Sequence, residues 1–441
     1  MQKRTILFGL IVSLGLDLHA AAALDSPDDG PDSKTGSSPA LARDAGDTAA
    51  DPTGRVTLRQ ALAATLRRSP QLSAYSWEVR SSEALVLQAS LRPNPELGIN
   101  PENFVGSGAF GRQIQYQNTI QLSQLVELGE KRQRRTDVAS ANRDRTELEY
   151  EAKRIEVLGE VTADFIDALS DQEEARIAKL TLDQAADLVK AVNQRVKASV
   201  GTSLEEKRAV VLVARARNAL RRAERKTRVS RQKLAANWTG RGEDIERVEG
   251  DLIATHPLPA LETLLARVGR APDRRLAVAD EQIRLAEAAL ARSRRVPDIV
   301  VSGAWRQGRN WDDQTVVAGV SFPLKIFDRA QGDIASSDAR TERAKVETTA
   351  VDVRLNAVVY GLYQEVVQAR EETETFTKDI VPRTEEALAL ARTGFGQGIY
   401  SQLDVLDAQR TIVEVRLERI QAAARYHRLV AEVEKLLGTT F

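Results

Sequence analysis

Apolar residues recur along this chain in two rhythms, and the chain runs through both rhythms twice. Between Glu130 and Ser199 only Gly159 interrupts a run of Ala, Glu, Arg, Leu and Lys. Within it Leu158, Val161, Phe165 and Leu169, then Leu188, Val192 and Val196, fall at helical spacing, which predicts a long amphipathic helix. A helix of about 70 residues is roughly 105 Å long. A second run from Gly332 to Arg392 contains Pro382, which predicts a kink rather than an end. Both runs close at glycine-bearing turns, Val200 to Ser203 and Gly394 to Ser401. There positive φ costs glycine little, and a serine or threonine caps the return helix. In the second return helix Leu403, Leu406, Val413, Leu417 and Ile420 step at coiled-coil intervals, with Arg410 in one seam position.

The other rhythm has period two. From Gln113 to Ser123, Ile114, Tyr116, Ile120 and Leu122 alternate with Gln113, Gln115, Gln117, Thr119, Gln121 and Ser123, the pattern of a strand with one apolar and one polar face. Leu97 and Ile99 precede it. In the second half Ile299, Val301 and Trp305 lead to a polar turn, and Val316, Ala318, Val320 and Phe322 lead out. Four strands in two hairpins are expected, at about 95–125 and 298–324. Each is about the length that crosses a bilayer obliquely, with Ile114, Tyr116, Ile120, Leu122, Val316, Val320 and Phe322 toward lipid. Four strands cannot close a barrel, because membrane barrels begin at about eight. Membrane insertion therefore requires several copies; the other reading is an amphipathic sheet packed on the helices.

Landmarks of the two passes match in order: Pro70 with Pro272, Pro93 with Pro297, Ser123 with Ser321, Gly201 with Gly398. The reading is an internal two-fold repeat, 55–250 and 251–441, in a mainly α fold with a small β part.

Lys3 and Arg4, an apolar run from Ile6 to Leu16 and the small residues Ala20 to Ala23 predict a cleaved export signal at 1–23. The Asp, Gly, Ser and Pro-rich stretch at 24–54 is expected to be a disordered leader. No later stretch approaches the ~20 apolar residues of a spanning helix, so membrane insertion must use strands. With no cysteine in the chain, disulfides, thiolate chemistry and an N-terminal lipid on cysteine are excluded. Equal numbers of basic and acidic residues, 63 each, leave no global field for nucleic acid. Two basic stretches remain. Lys131, Arg132, Arg134 and Arg135 either meet lipid phosphates or form a solvated helix start. Arg215 to Lys233 has the charge to meet nucleic acid, but in an exported chain the expectation is a charged helix face with acidic neighbours. His19 leaves with the signal, and His256 and His427 stand apart from any nucleophile or ligand partner, so no enzyme, metal site or cofactor is expected.

On these motifs the chain resembles the TolC-type outer-membrane efflux proteins from about Val56 to its end. Gly398 to Arg410 (GIYSQLDVLDAQR) looks like that family's second periplasmic turn. Arg195, Gly201, Ser203, Glu205, Arg208 and Ala209 look like the first. RPNPEL at Arg92–Leu97, ELGEKR at Glu127–Arg132 and SFPLKIFDRAQG at Ser321–Gly332 resemble the CzcC-type heavy-metal branch. The resemblance implies a homotrimer in the outer membrane, with three sets of four strands closing a transmembrane β-barrel and long helical hairpins forming a periplasmic α-barrel. The implied partners are a periplasmic adaptor and an inner-membrane RND-type pump. Val200, Gly201, Thr202, Ser203, Gly398, Ile399, Tyr400 and Ser401 are then the adaptor-docking tips, and Asp404 and Asp407 the pore constriction; the other reading of Asp404 is a local cap or pair. Tyr400 stands where some relatives carry a basic residue that locks the tip. The implied function is a passive exit duct for metal cations; alternatives are a multidrug or type I secretion duct of the same fold, or a periplasmic structural coiled coil.

Overall fold

The structure is a computed structural model that describes residues 52–102, 117–199, 201–308 and 313–439. The expected signal, nearly all of the leader, and Ile114, Tyr116 and Val200 lie outside the described residues. In chain order the elements are β1 (Gly54–Thr57), α1 (Leu58–Arg68), α2 (Pro70–Ser90), β2 (Glu96–Glu102) and β3 (Gln117–Val126). Then come α3 (Lys131–Lys197), α4 (Ser203–Ala236), β4 (Ile245–Glu249), α5 (Leu261–Leu265) and α6 (Pro272–Ser293). β5 (Ile299–Gln307), β6 (Gln314–Ser321), α7 (Gln331–Thr375), α8 (Val381–Gln397) and α9 (Gln402–Leu437) complete the described chain.

The chain folds into two compact units, and each draws on both halves of the sequence. One unit takes residues up to Pro70, Glu156–Pro259 and Leu362 onward. Its core forms where the middle of α3 meets α1, the end of α4, β4 and α9. Val161, Phe165 and Leu169 are buried there with Leu234, Trp238, Val248 and Ile420. The stripe read from the sequence on α3 is the buried stripe. Gly159 permits a close approach, since a Cβ there would lie 3.0 Å from the Lys435 side chain. The sequence reading missed β1 and β4. Gly54, counted in the leader, opens β1, which pairs in parallel with β4 and buries Val56 completely.

The other unit takes Gln71–Ile155 and Ala260–Gly361 and holds an antiparallel sheet in the order β2-β3-β5-β6. Four helical segments continue from it in the same order. The guanidinium of Arg135 on α3 donates to the Ala89 and Leu91 carbonyls at the end of α2, both at 3.0 Å. Lys131 at the start of α3 meets Asp298 beyond α6 at 2.7 Å. Ala291 of α6 packs with Ala330 and Ile334 at the start of α7.

Three expectations need correction. Phe322 lies one residue beyond β6, because Pro323 cannot donate to a ladder and ends the strand. The helix around Pro382 stays helical, but a π turn at Phe376–Ile380 separates α7 from α8. Leu403 and Arg410 are exposed rather than in a seam: Leu403 is 58% accessible, and Arg410 pairs with Glu414 at 3.0 Å. The buried stripe of α9 runs through Val405, Ile412, Val415 and Ile420.

Candidate functional site

Two features stand out, the sheet faces and the helix turns. Strand register decides the first. Leu97 pairs with Leu122 and Ile99 with Ile120. Ile120 then pairs with Trp305, Trp305 with Val316 and Val301 with Val320. Side chains alternate across a strand, so these residues share one face. Ile120, Leu122, Val316 and Val320 are all exposed on it. The opposite face carries Thr119, Gln121, Ser123 and Ser302, with Arg306 donating to the Thr119 hydroxyl at 3.2 Å. A slip of one residue would exchange the faces.

The turns are built from the helix ends. α8 closes in a Schellman pattern: Gly398 has φ +77°, its N–H donates to Phe395 O at 3.2 Å, and the Ile399 N–H donates to Gly394 O at 2.8 Å. Gly394 and Gly396, expected in the turn, belong to α8. A Cβ on Gly394 would overlap the Tyr400 ring, so this glycine seats the tyrosine. At the first turn the left-handed residue is Ser199, with φ +59°, and not Gly201. Gly201 answers to crowding instead, because a Cβ would lie 3.0 Å from the Val196 nitrogen.

Both return helices begin with a capping box. Thr202 accepts from the Glu205 N–H at 3.2 Å, and its own N–H donates to Glu205 at 3.0 Å. Ser401 does the same with Asp404, and its hydroxyl also donates to the Asp404 carboxylate at 2.7 Å. These bonds, the hydroxyl first and the backbone N–H second, hold Asp404 below the ordinary carboxylate range. Asp404 and Asp407 are both exposed, one turn apart at the start of α9. The two turns are tied together. Arg195 donates to Phe395 O at 3.1 Å with its guanidinium 4.6 Å from the Phe395 ring centroid, and Gln402 donates to Glu205 O at 3.1 Å. Leu204, Ile399, Tyr400 and Leu403 stand exposed around this knot. The sequence reading missed Leu204, a single leucine outside any periodic run.

Most of the remaining candidates are engaged in local contacts. Arg134 pairs with Glu130, and Arg135 with Glu127. Together with the Lys131–Asp298 bridge, these contacts secure the strand–helix junctions. In the second basic stretch Lys226 meets Asp171 and Glu174 at 2.8 and 2.9 Å, and Lys233 meets Asp164 at 2.7 Å. That is the expected charged face with acidic neighbours. His427 contacts Leu252 O at 3.0 Å, and burial pushes its pKa down. His256 is held through its backbone, which exchanges hydrogen bonds with the Tyr426 hydroxyl. Among the described residues no group of three His, Cys, Asp or Glu side chains could hold a metal ion, and no helix is long and apolar enough to cross a membrane.

Comparison with known proteins agrees with this construction. The family described as Outer membrane efflux protein matches residues 61–240 and 267–439. The cobalt-zinc-cadmium resistance protein CzcC of Cupriavidus metallidurans is 29% identical over 385 residues, 87% of this chain and 90% of that protein. Nodulation protein T of Rhizobium leguminosarum bv. viciae is 25% identical over 84% of this chain and 80% of its own length. Among solved structures, CusC superposes with a TM-score of 0.72 at 14% identity, over 86% of this chain and 91% of that one. An amphipathic four-stranded sheet and long helical hairpins knotted at capped turns are thus the parts of an outer-membrane channel, and the chain belongs to the outer membrane efflux protein family.

Proposed function

We propose that the protein is a passive, trimeric exit duct for divalent heavy-metal cations, docked at its helix turns by a periplasmic adaptor and driven by an inner-membrane RND-type pump. One observation carries the assembly. The sheet has four strands, an exposed apolar face, and a neighbour on one side only for β2 and β6. Such a sheet cannot close alone, and lipid tolerates no open edge. Three copies supply twelve strands. The two family-matched stretches each carry a strand pair and a long helical hairpin, which supports an internal repeat as the origin of the four strands.

In this reading Gly201, Thr202, Ser203, Gly398, Ile399, Tyr400 and Ser401 present to the adaptor, Val200 with them, and the exposed Leu204 and Leu403 add apolar contact. Asp404 and Asp407 ring the constriction. Carboxylates at a narrowing raise cation occupancy and repel anions. Metal as cargo is supported by the likeness to CzcC over most of both chains.

The test has two arms. Val320→Lys on the apolar face is expected to block outer-membrane assembly, since a lysine at the bilayer midplane costs about 2–4 kcal/mol. Gln121→Lys on the polar face is expected to assemble; equal assembly of the two variants would remove the membrane assignment. Loss of the gene is expected to lower tolerance to Co²⁺, Zn²⁺ or Cd²⁺. Unchanged tolerance to all three, with restored tolerance to an organic toxicant on re-expression, would move the cargo to small molecules.

A further inference from the structure

The segment that carries the chain from β4 to α5 is fastened to α9 by two neighbouring side chains. The Tyr426 hydroxyl donates to His256 O at 2.8 Å and accepts from the His256 N–H at 3.1 Å. Nε2 of His427 lies 3.0 Å from Leu252 O. A carbonyl only accepts, so Nε2 carries the proton of the neutral ring. The two rings meet edge to face, with centroids 5.0 Å apart, and Leu252 and Tyr426 are buried. Asp251 shapes the strap from within, accepting from the Ile253 and Ala254 N–H groups at 3.0 and 3.3 Å.

On its other side the strap covers the π turn. Ile253 and Thr255 line a cavity of about 400 Å³ together with Thr373, Glu374 and Thr377, and Thr377 lies in the turn itself. Glu374 is held by Arg370 at 2.9 Å and by Lys378 at 2.7 Å. The Thr377 hydroxyl is buried without a partner. A π turn is a place where a helix bends, and the strap packs over this one.

We infer that the strap from Asp251 to Pro257 is an acid-released clamp: neutral His427 fastens it over the π turn, and a second proton on the ring lets it go. His427 is half-buried, and a charged ring there loses its hydration. The Leu252 and Ala254 backbone and the Asp251 carboxylate favour the charged ring, while His256, exposed on the strap, opposes it. Asp251 can offer little, because Oδ1 already holds two N–H groups. Arg370 and Glu374 of α7 and Glu434 of α9 are the charged groups around Tyr426, and the first two pair with each other. Burial outweighs the favourable groups and lowers the pKa of His427.

The sign of the effect is therefore fixed. With the folded value below the unfolded one of about 6.5, the clamp is complete above about pH 6.5 and is lost as pH falls through the lower folded value. Tyr426 keeps its proton throughout, because burial raises its pKa. The change belongs to His427 alone, and it lies within one chain, so it does not rest on the duct reading.

Hydrogen–deuterium exchange of the detergent-solubilised full-length protein reads the strap directly, since the His256 N–H is one of the clamp's bonds. After correction for the pH dependence of free amides, a peptide covering 251–258 is expected to lose protection by about tenfold or more between about pH 7.5 and about pH 5. Peptides from the α3 core around Phe165 are expected to keep theirs. His427→Gln retains an amide donor for Leu252 O and cannot take up a charge, so its protection is expected to stay level over the same range. His256→Gln is expected to follow the wild type. Level protection in the wild type overturns the clamp, and so does a fall that persists in His427→Gln, which would assign the proton to another group. A second readout holds even if His427→Gln loosens the strap at every pH. In the wild type and in His256→Gln, the His427 ring signal in NMR of labelled histidine is expected to titrate below about 6.5 and in step with the loss of protection. Titration at or above that value overturns the clamp.

Discussion

The two helical hairpins follow one plan, and they differ where the chain has to bend. α3 runs 67 residues without a proline. The matching run of the second half is α7, a π turn at Phe376–Ile380, and α8, with Pro382 in the first turn of α8. A proline removes one N–H and drives its ring against the carbonyl four residues back, and widening the helix by one residue absorbs both effects. The backbone stays right-handed through the turn, at φ −62° on entry and −61° on exit. Yet it leaves the Thr377 hydroxyl buried without a partner. The long helix of the first hairpin is uninterrupted, whereas that of the second carries a π turn, a place where a helix can bend. In a channel whose turns are tied by Arg195 and Gln402, the second hairpin is the one expected to move on opening.

Exchanging the prolines breaks that contrast most severely. Lys179→Pro, at an exposed position of α3 where the side chain pairs with Asp183, is expected to cost about 3 kcal/mol or more. Pro382→Ala is expected to cost little, because its interrupted hydrogen bond is already accommodated. Thermal unfolding of the detergent-solubilised protein reads both. Equal losses would mean that the π turn does not serve the proline.

The turns offer a smaller contrast. Gly398 is left-handed with open space around it, so Gly398→Ala carries only the conformational cost of about 1 kcal/mol. Ser199 is left-handed without being glycine, so Ser199→Gly is expected to stabilise the first turn by somewhat less. Opposite signs in the same melting assay are the predicted outcome, and matching signs would show that one turn is governed by its contacts instead.

What could be read in advance divides along the same physical line. Periodicity located α3, α9 and the four long strands because burial on one face repeats at a fixed interval, and the apolar face of Ile120, Leu122, Val316 and Val320 followed directly. Glycine and serine marked the turns for a sound reason, but composition could not tell that Ser199 takes the left-handed role while Gly201 answers to the Val196 backbone. β1 and β4 are too short to show a period, and their pairing joins residues nearly two hundred positions apart. Leu403 fits a seam by spacing alone and points to solvent, because which of two adjacent stripes is buried depends on the helix packed beside it. Asp404 was legible as a carboxylate at the tip that either lines the constriction or caps locally, and the Ser401 geometry shows the cap.

That geometry supplies the finest contrast between the hairpins. Thr202→Ala and Ser401→Ala each remove an N-cap hydroxyl and are each expected to cost about 1 kcal/mol. Only at Ser401 does the hydroxyl also donate to the carboxylate of the box, so only Ser401→Ala changes the titration of a proposed constriction residue. The folded-state pKa of Asp404 is lowered. Its stabilising contribution is therefore complete above the unfolded value of about 3.9 and lost as pH falls through the lower folded value. Removing the hydroxyl moves the folded value back up. In planar-bilayer recordings from about pH 6 down to about pH 3, the wild-type channel is expected to keep its cation preference to lower pH than Ser401→Ala. Thr202→Ala is expected to follow the wild type. Coincident curves for all three proteins would place Asp404 away from the ion path, and the constriction would then rest on Asp407 alone.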